Sequence, residues 1–272
     1  VSANTNINQD SLKLLKIALP PTLAEQQAIA SALSDVDELI CSLDTLIQKK
    51  EAIKKGTMQQ LLSGNKRLPG FDIEWEVKAL GDLFEITSSK RVFKSEWEKE
   101  GIPFYRAREL AVLSEKGSVD NDLFIDRKLF EKHKSSYGVP QIGDLLVTGV
   151  GTLGKVYLVS NNNEFYFKDG NIIWFRINEK VNPEFLMHLY SSPIVIKQIN
   201  ESSAGSTVGT YTITAANKTK IPFPSLEEQK AIAQILSDMD REIQSLHRKR
   251  EKVGQIKQGM MQELLTGRVR LV

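Results

Sequence analysis

"PTLAEQQAIASALSDVDELICSLDTLIQKKEAIKKGTMQQLLSGNKRL" (residues 21–68) returns 203 positions later as "PSLEEQKAIAQILSDMDREIQSLHRKREKVGQIKQGMMQELLTGRVRL" (residues 224–271), without a gap and with 25 of 48 positions identical. A match of that length is an internal repeat, and each copy reads as one long helix. Thr22-x-x-Glu25 and Ser225-x-x-Glu228, each just after a proline, are capping boxes that satisfy N–H groups left free at a helix start. Apolar residues then recur at Ile29, Leu33, Val36, Ile40, Leu43 and Ile47, alternating four and three apart. The second copy gives Ile232, Leu236, Met239, Ile243 and Leu246, breaks at Arg250 and resumes at Val253. This is the spacing of a coiled-coil seam. Gly64 and Gly267 suit the left-handed residue beyond a helix end. About 40 helical residues at about 1.5 Å each make a rod of about 60 Å. Gly56 and Gly259 each weaken it by about 1 kcal/mol relative to Ala.

A seam needs a partner, and the chain carries a matching one. A compact insertion brings its own two ends close together, so the end of the first helix neighbours the start of the second. The pair is therefore expected to run antiparallel.

The residues between the copies differ in texture. Short β-branched and aromatic runs ("LGDLFEI", "IPFYRA", "DLLVTG", "KVYLVS", "FYFKDGNIIWFRI", "TVGTYTI") are separated by turn residues such as Gly138, Gly143, residues 161–163 and Gly205. "NPEFLMHLYSSPIVIKQI" (residues 182–199) reads as helix interrupted at Pro193. The expected fold class is α+β: one β-rich domain flanked by two long helices in an antiparallel coiled coil. The expected boundaries are 1–20, a short lead; 21–68, the first helical copy; 69–223, the β-rich domain; and 224–272, the second copy.

Composition sets limits. The chain has 272 residues, 36 Lys and Arg against 34 Asp and Glu, and a single cysteine, Cys41. No apolar run approaches the roughly 18 residues that a membrane helix needs. One cysteine excludes an internal disulfide and fits a reducing cytoplasm. His133, His188 and His247 have no second ligand at metal spacing, so no metal site is expected. No GxSxG elbow and no HExxH motif occur, and no catalytic residue is assigned.

"TGVGTLGKV" (residues 148–156) nearly fits the phosphate-binding pattern GxxxxGK[ST] from Gly149 to Lys155. Val156 stands where the metal-holding hydroxyl belongs. Strand-like runs on both sides predict a hairpin, whereas a nucleotide loop opens a helix. Residues 73–220 hold 19 Lys and Arg and 19 Asp and Glu, so no basic domain announces itself. Local clusters do: Lys90, Arg91 and Lys94; Arg106 and Arg108; Thr152 and Lys155; and Ser206, Thr207 and Tyr211 in "SAGSTVGTYT". Arg and Lys that read base edges, with Ser, Thr and Tyr that hold phosphate, suit double-stranded DNA. A scaffold built only on the coiled coil would leave the β-rich insertion without a task.

The prolines before each helix, "LxEQxAIA…LSD.D" and "KxGxMQxLLxGxxRL" together resemble the helical regions of type I restriction–modification specificity subunits. "WEVKALGDLFEI", "GDLLVTGVGTLGK" and "GSTVGTYTI…KIPFPSLEEQ" are similar to the start, centre and close of that family's target recognition domain. The resemblance covers essentially the whole chain. It implies a non-catalytic subunit that recognises a bipartite DNA target for partner DNA methyltransferase and restriction subunits, with S-adenosylmethionine and ATP bound on those partners and no cofactor here. The family normally alternates two recognition domains with two helices, whereas this chain has one complete recognition domain and a lead, residues 1–20, that resembles only the tail of a preceding one. It therefore looks like a half-length subunit or the carboxy-terminal half of one, and a complete target would need two chains, paired as a homodimer.

Overall fold

The computed structural model describes residues 13–14, 17, 19–203 and 209–271. The chain divides into two compact units, Val1–Ile53 with Asp240–Val272, and Lys54–Met239. The second unit thus includes the last turns of the first helix and the first turns of the second. Most of the expected tail at 1–20 lies outside the described residues.

Both repeat copies form helices of the same length at the same offset, α1 (Leu23–Leu61) and α8 (Leu226–Leu264). The hydroxyls of Thr22 and Ser225 accept the N–H groups of Glu25 and Glu228 at 3.2 and 3.3 Å, as a capping box requires. The second half of each box is replaced, because each glutamate carboxylate takes an arginine instead. Gly64 and Gly267 both sit at φ 73°, the left-handed conformation expected of them.

In the first unit the two helices run antiparallel. Asp37 pairs with Lys257, Asp44 with Arg250 and Lys50 with Glu242, so partner numbers fall on one helix as they rise on the other. Ile29, Leu43, Ile47, Ile243 and Val253 are buried, and Leu33, Val36, Ile40 and Leu246 are half-buried. Arg250 breaks the apolar pattern and closes on the Asp44 carboxylate at 3.0 and 3.3 Å. Because Ile40 is only half-buried, Ile40→Asp is expected to cost about 1–2 kcal/mol, less than a fully buried charge would. An unchanged melting temperature would show that Ile40 faces open solvent.

The second unit carries three sheets. β1 (Glu76–Ala79) pairs antiparallel with β10 (Lys220–Phe223), closing the two ends of the domain on each other. β2 (Glu85–Thr87), β9 (Ile172–Arg176), β6 (Leu145–Thr148) and β7 (Val156–Leu158) form an antiparallel sheet in that order. The third sheet has the order β3 (Trp97–Glu98), β5 (Phe124–Ile125), β4 (Ile102–Tyr105) and β8 (Tyr166–Phe167), with β4 and β8 parallel. Helices α2 (Leu80–Leu83), α3 (Ala107–Lys116), α4 (Arg127–Tyr137), α5 (Pro183–Tyr190), α6 (Pro193–Ser203) and α7 (Ile213–Lys218) lie between the strands. The main core joins Leu61 and Leu62 of the first repeat, Ile232, Ala233 and Leu236 of the second, and Leu145, Phe175, Phe185 and Tyr190 between them.

Two strand expectations need correction. "LGDLFEI" opens with the helical turn α2 before the short strand β2. The end of "TVGTYTI" starts α7, which Thr212 caps by accepting the Ala215 N–H, and the described part of that run pairs only through a bridge between Thr210 and Val150.

Candidate nucleic-acid interface

The glycine-rich segment is a hairpin. Val147 faces Val156 across β6 and β7, the Thr148 N–H reaches the Lys155 carbonyl at 2.9 Å, and the Gly154 N–H reaches the Thr148 carbonyl at 2.9 Å. Lys155 donates its N–H to Thr148 Oγ1 at 3.0 Å. Gly149 has a separate task. Its N–H donates to the Asn171 carbonyl at 2.8 Å and its carbonyl accepts from Tyr211 N–H at 2.9 Å. A Cβ at this position would lie 2.6 Å from the Tyr211 carbonyl oxygen. The close approach that this glycine permits is therefore to the chain's own backbone. A strand follows the loop where a nucleotide-binding loop would open a helix, and its amides at Gly149 and Gly154 are spent on carbonyls.

Three segments meet at the turn between β8 and β9, residues 168–171. The parallel pair β4–β8 brings Lys168 N–H to the Tyr105 carbonyl at 2.9 Å, which sets Arg106 and the start of α3 beside the turn. Ser88 and Ser89 donate their hydroxyls to the Ile172 and Phe167 carbonyls at 2.7 and 2.6 Å, which fixes the segment carrying Lys90 and Arg91 on its other side. Arg91 Nε then meets Asp169 at 3.1 Å. The hairpin joins through Gly149 and Asn171, and Lys155 Nζ reaches Glu115, near the end of α3, at 2.6 Å. Arg91, Arg106, Arg108 and Lys155 thus belong to one connected set of segments. Lys168 belongs with them and was not singled out from the sequence; "KDG" within an aromatic run reads as a plain turn.

The cations are not equally available. Arg91 and Arg108 are largely exposed, Lys90 and Lys94 are exposed, and Thr152 is exposed at the hairpin tip. Lys90 Nζ also lies 4.8 Å from the centre of the Tyr137 ring. Arg106 is turned inward. Its Nε and Nη2 hold the two carboxylate oxygens of Glu109 at 2.9 and 2.7 Å, and its backbone N–H donates to Oε2 at 3.0 Å. Arg108 Nε adds a further bond at 3.1 Å. Glu109 is fully buried. Burial pushes its carboxyl up, but the Arg106 guanidinium and backbone N–H groups overcome this and hold it down at about 2. Arg106 thus commits its Nε and Nη2 donors to an internal ion pair, with Nη2 also 3.3 Å from Asp122.

Tyr211, expected on a DNA-facing loop, is turned inward. It is buried, and its hydroxyl bridges Tyr190 Oη at 3.0 Å and Thr219 Oγ1 at 2.8 Å. Burial raises its phenol above the ordinary range. Ser206 and Thr207 lie outside the described residues. Among the described residues no three His, Cys, Asp or Glu side chains group as a metal site, and no helix is long and apolar enough to cross a membrane.

Comparison with known proteins now bears on these features. A family profile described as "Type I restriction modification DNA specificity domain" matches residues 1–55 and 72–255. A putative type I restriction enzyme MjaX specificity subunit of Methanocaldococcus jannaschii is 31% identical over 98% of this chain and 62% of its own length. The MjaVIII specificity subunit of the same organism is 27% identical over 98% of this chain and 65% of its own length. The chain therefore spans less than two thirds of these relatives. A crystal structure of the S subunit of a type I restriction–modification system from M. genitalium superposes with a TM-score of 0.60 at 19% identity, covering 96% of this chain and 66% of that one. The HsdS subunit from Thermoanaerobacter tengcongensis gives 0.58 at 18%, covering 93% and 61%. At these identities the two structures speak for the fold alone.

Proposed function

We propose that this chain, which belongs to the type I restriction–modification DNA specificity family, is a non-catalytic DNA-recognition subunit that directs partner methyltransferase and restriction subunits to a bipartite duplex target. The observation that carries the reading is the convergence of Arg91, Arg108, Lys155 and Lys168 on the segments around one turn of the domain inserted between the repeated helices. A domain with balanced charge attracts phosphate only where cations are gathered. S-adenosylmethionine and ATP belong, on this reading, to the partner subunits, and the assembly works in the cytoplasm.

The carboxylate partners do not prevent this role. Lys155–Glu115 is a solvent-exposed pair, and such pairs contribute little, so the ammonium can exchange its carboxylate for phosphate. Arg108 shares Glu109 with Arg106 and keeps its remaining donors outward.

Sequencing of methylated sites, after the chain is supplied with modification subunits, gives the target. With that duplex, Lys155→Ala is expected to weaken binding to cognate and scrambled DNA alike and to lower the salt slope by about one. Arg108→Ala is expected to cost about 1–3 kcal/mol on the cognate duplex if it reads a base, with relaxed specificity at one position. Affinity measured against salt concentration distinguishes the two. Unchanged affinity and slope for both variants would remove this face from the interface.

A further inference from the structure

The cations gathered around the 168–171 turn are of two kinds. Lys155 and Lys168 end in ammonium groups, point charges with no plane to fit a base edge. Arginine carries a planar fork, and the donors left on that fork decide what it can read. Arg106 spends Nε and Nη2 on Glu109. Arg108 gives only Nε, at 3.1 Å, but to Glu109 Oε1, which Arg106 Nη2 already holds at 2.7 Å. Arg91 also gives only Nε, to Asp169 Oδ2 at 3.1 Å, and among the described residues this carboxylate makes no other hydrogen bond. Asp169 Oδ1 is buried, with Lys168 Nζ 4.0 Å away.

Both ends of the Arg91–Asp169 contact are held by the fold. Lys90 N–H donates to Tyr166 Oη at 2.9 Å and Val92 is buried, so the backbone is tied on each side of Arg91. Gly170 N–H donates at 3.3 Å to Ser88 Oγ, the same hydroxyl that donates to the Ile172 carbonyl. One serine thus links the turn that carries Asp169 to the segment that carries Arg91. The Asp169 side chain is 17% exposed, whereas that of Arg91 is 69% exposed. The carboxylate is an anchor within the domain, and the guanidinium stands in solvent with Nη1 and Nη2 committed to no other described residue.

We propose that Arg91 reads a base: its two Nη groups donate to O6 and N7 of a guanine in the major groove, and Asp169 is the positioning residue that aims them. The inference rests on the DNA-recognition reading above and adds which base edge one side chain recognises. Guanine is the base that presents two acceptors side by side in that groove. Phosphate also accepts a bidentate arginine, but the Asp169 carboxylate offsets the charge that draws phosphate and leaves the direction of the fork intact. An arginine already held through Nε has little side-chain freedom left to lose on binding, which favours a directional contact.

The test uses the chain together with its modification subunits. Sites methylated with the unaltered chain define a reference duplex, and a set of duplexes replaces each of its G·C pairs in turn by A·T. Arg91→Lys keeps the charge and removes the fork. It is expected to lower the preference for G·C at one position by about tenfold or more, with the other positions and the salt slope unchanged. A thermal melt checks that this exposed substitution leaves the fold intact. Asp169→Ala is expected to weaken the preference at the same position by a smaller factor, and Asp169→Asn, which keeps an acceptor for the Arg91 Nε–H, to retain most of it. In an Arg91→Ala background, Asp169→Ala should change nothing further. A uniform loss on every duplex for Arg91→Ala, with a salt slope lower by about one, would make Arg91 a phosphate contact and overturn the proposal. So would an effect of Asp169→Ala on base preference in the Arg91→Ala background, since Asp169 would then itself accept from a base amine. A base preference that Arg91→Lys leaves unchanged overturns the proposal and leaves the DNA-recognition reading standing, whereas an unaltered chain without any sequence preference overturns both.

Discussion

Asp144→Ala is expected to destabilise the Lys54–Met239 unit by about 3–4 kcal/mol, the largest single effect on that unit short of a core deletion. The carboxylate is buried at the base of the hairpin and serves three donors from separate parts of the chain. Oδ2 accepts the indole N–H of Trp174 at 2.8 Å and the Gln141 N–H at 2.9 Å, and Oδ1 accepts the Ile177 N–H at 3.0 Å. Alanine leaves all three without an acceptor, and the Trp174 donor lies where water does not reach. Asp144→Asn should be nearly as harmful, because its amide group turns N–H toward N–H. Chemical denaturation of both variants checks this, and wild-type stability for the asparagine variant would show that the donors find other partners. The same substitutions should weaken DNA binding only in step with unfolding, since Asp144 faces inward.

This carboxylate shows how the sequence was legible in some places and silent in others. "GDLLVTG" is readable as the first strand of a hairpin, because a short β-branched run and the glycines are local signals. The role of Asp144 depends on Trp174 and Ile177, about 30 positions away, and no local pattern announces such a partnership. The helices are the opposite case. Their caps, seam and terminal glycines are all local, and the offset between copies repeats each signal, so both came out at the same 39 residues. Tyr211 misled for the same reason that Asp144 was silent. A lone aromatic in a polar loop looks exposed, but Tyr190 and Thr219 draw its hydroxyl into the core. Trp75 carries no local signal of its role, and its bond to Glu228 joins two regions 153 residues apart. Arg106 is different, because arginine followed three positions later by glutamate at a helix start is a readable signal of a local pair. Reading "YRARE" for its cations alone missed the acid that holds one of them.

That acid gives the second large effect. Glu109→Gln is expected to cost about 3 kcal/mol at neutral pH, because it leaves the partly buried Arg106 guanidinium with only the exposed Asp122 carboxylate, 3.3 Å away, as a counter-charge. The pH dependence gives a sharper check than the magnitude. In the folded chain the carboxyl is held down at about 2, against an ordinary value of 4.5. A group whose pKa is depressed by folding contributes its full stabilisation above the unfolded value and loses it as pH falls toward the folded one. The stability gap between wild type and Glu109→Gln should therefore be constant above about pH 5 and narrow steadily as pH drops from 4.5 toward 2. Other carboxylates titrate in both proteins and cancel in the difference. A gap that stays level across that range would show that Glu109 does not carry its charge inside the fold. Arg106 would then keep only the Asp122 carboxylate as an ionic partner.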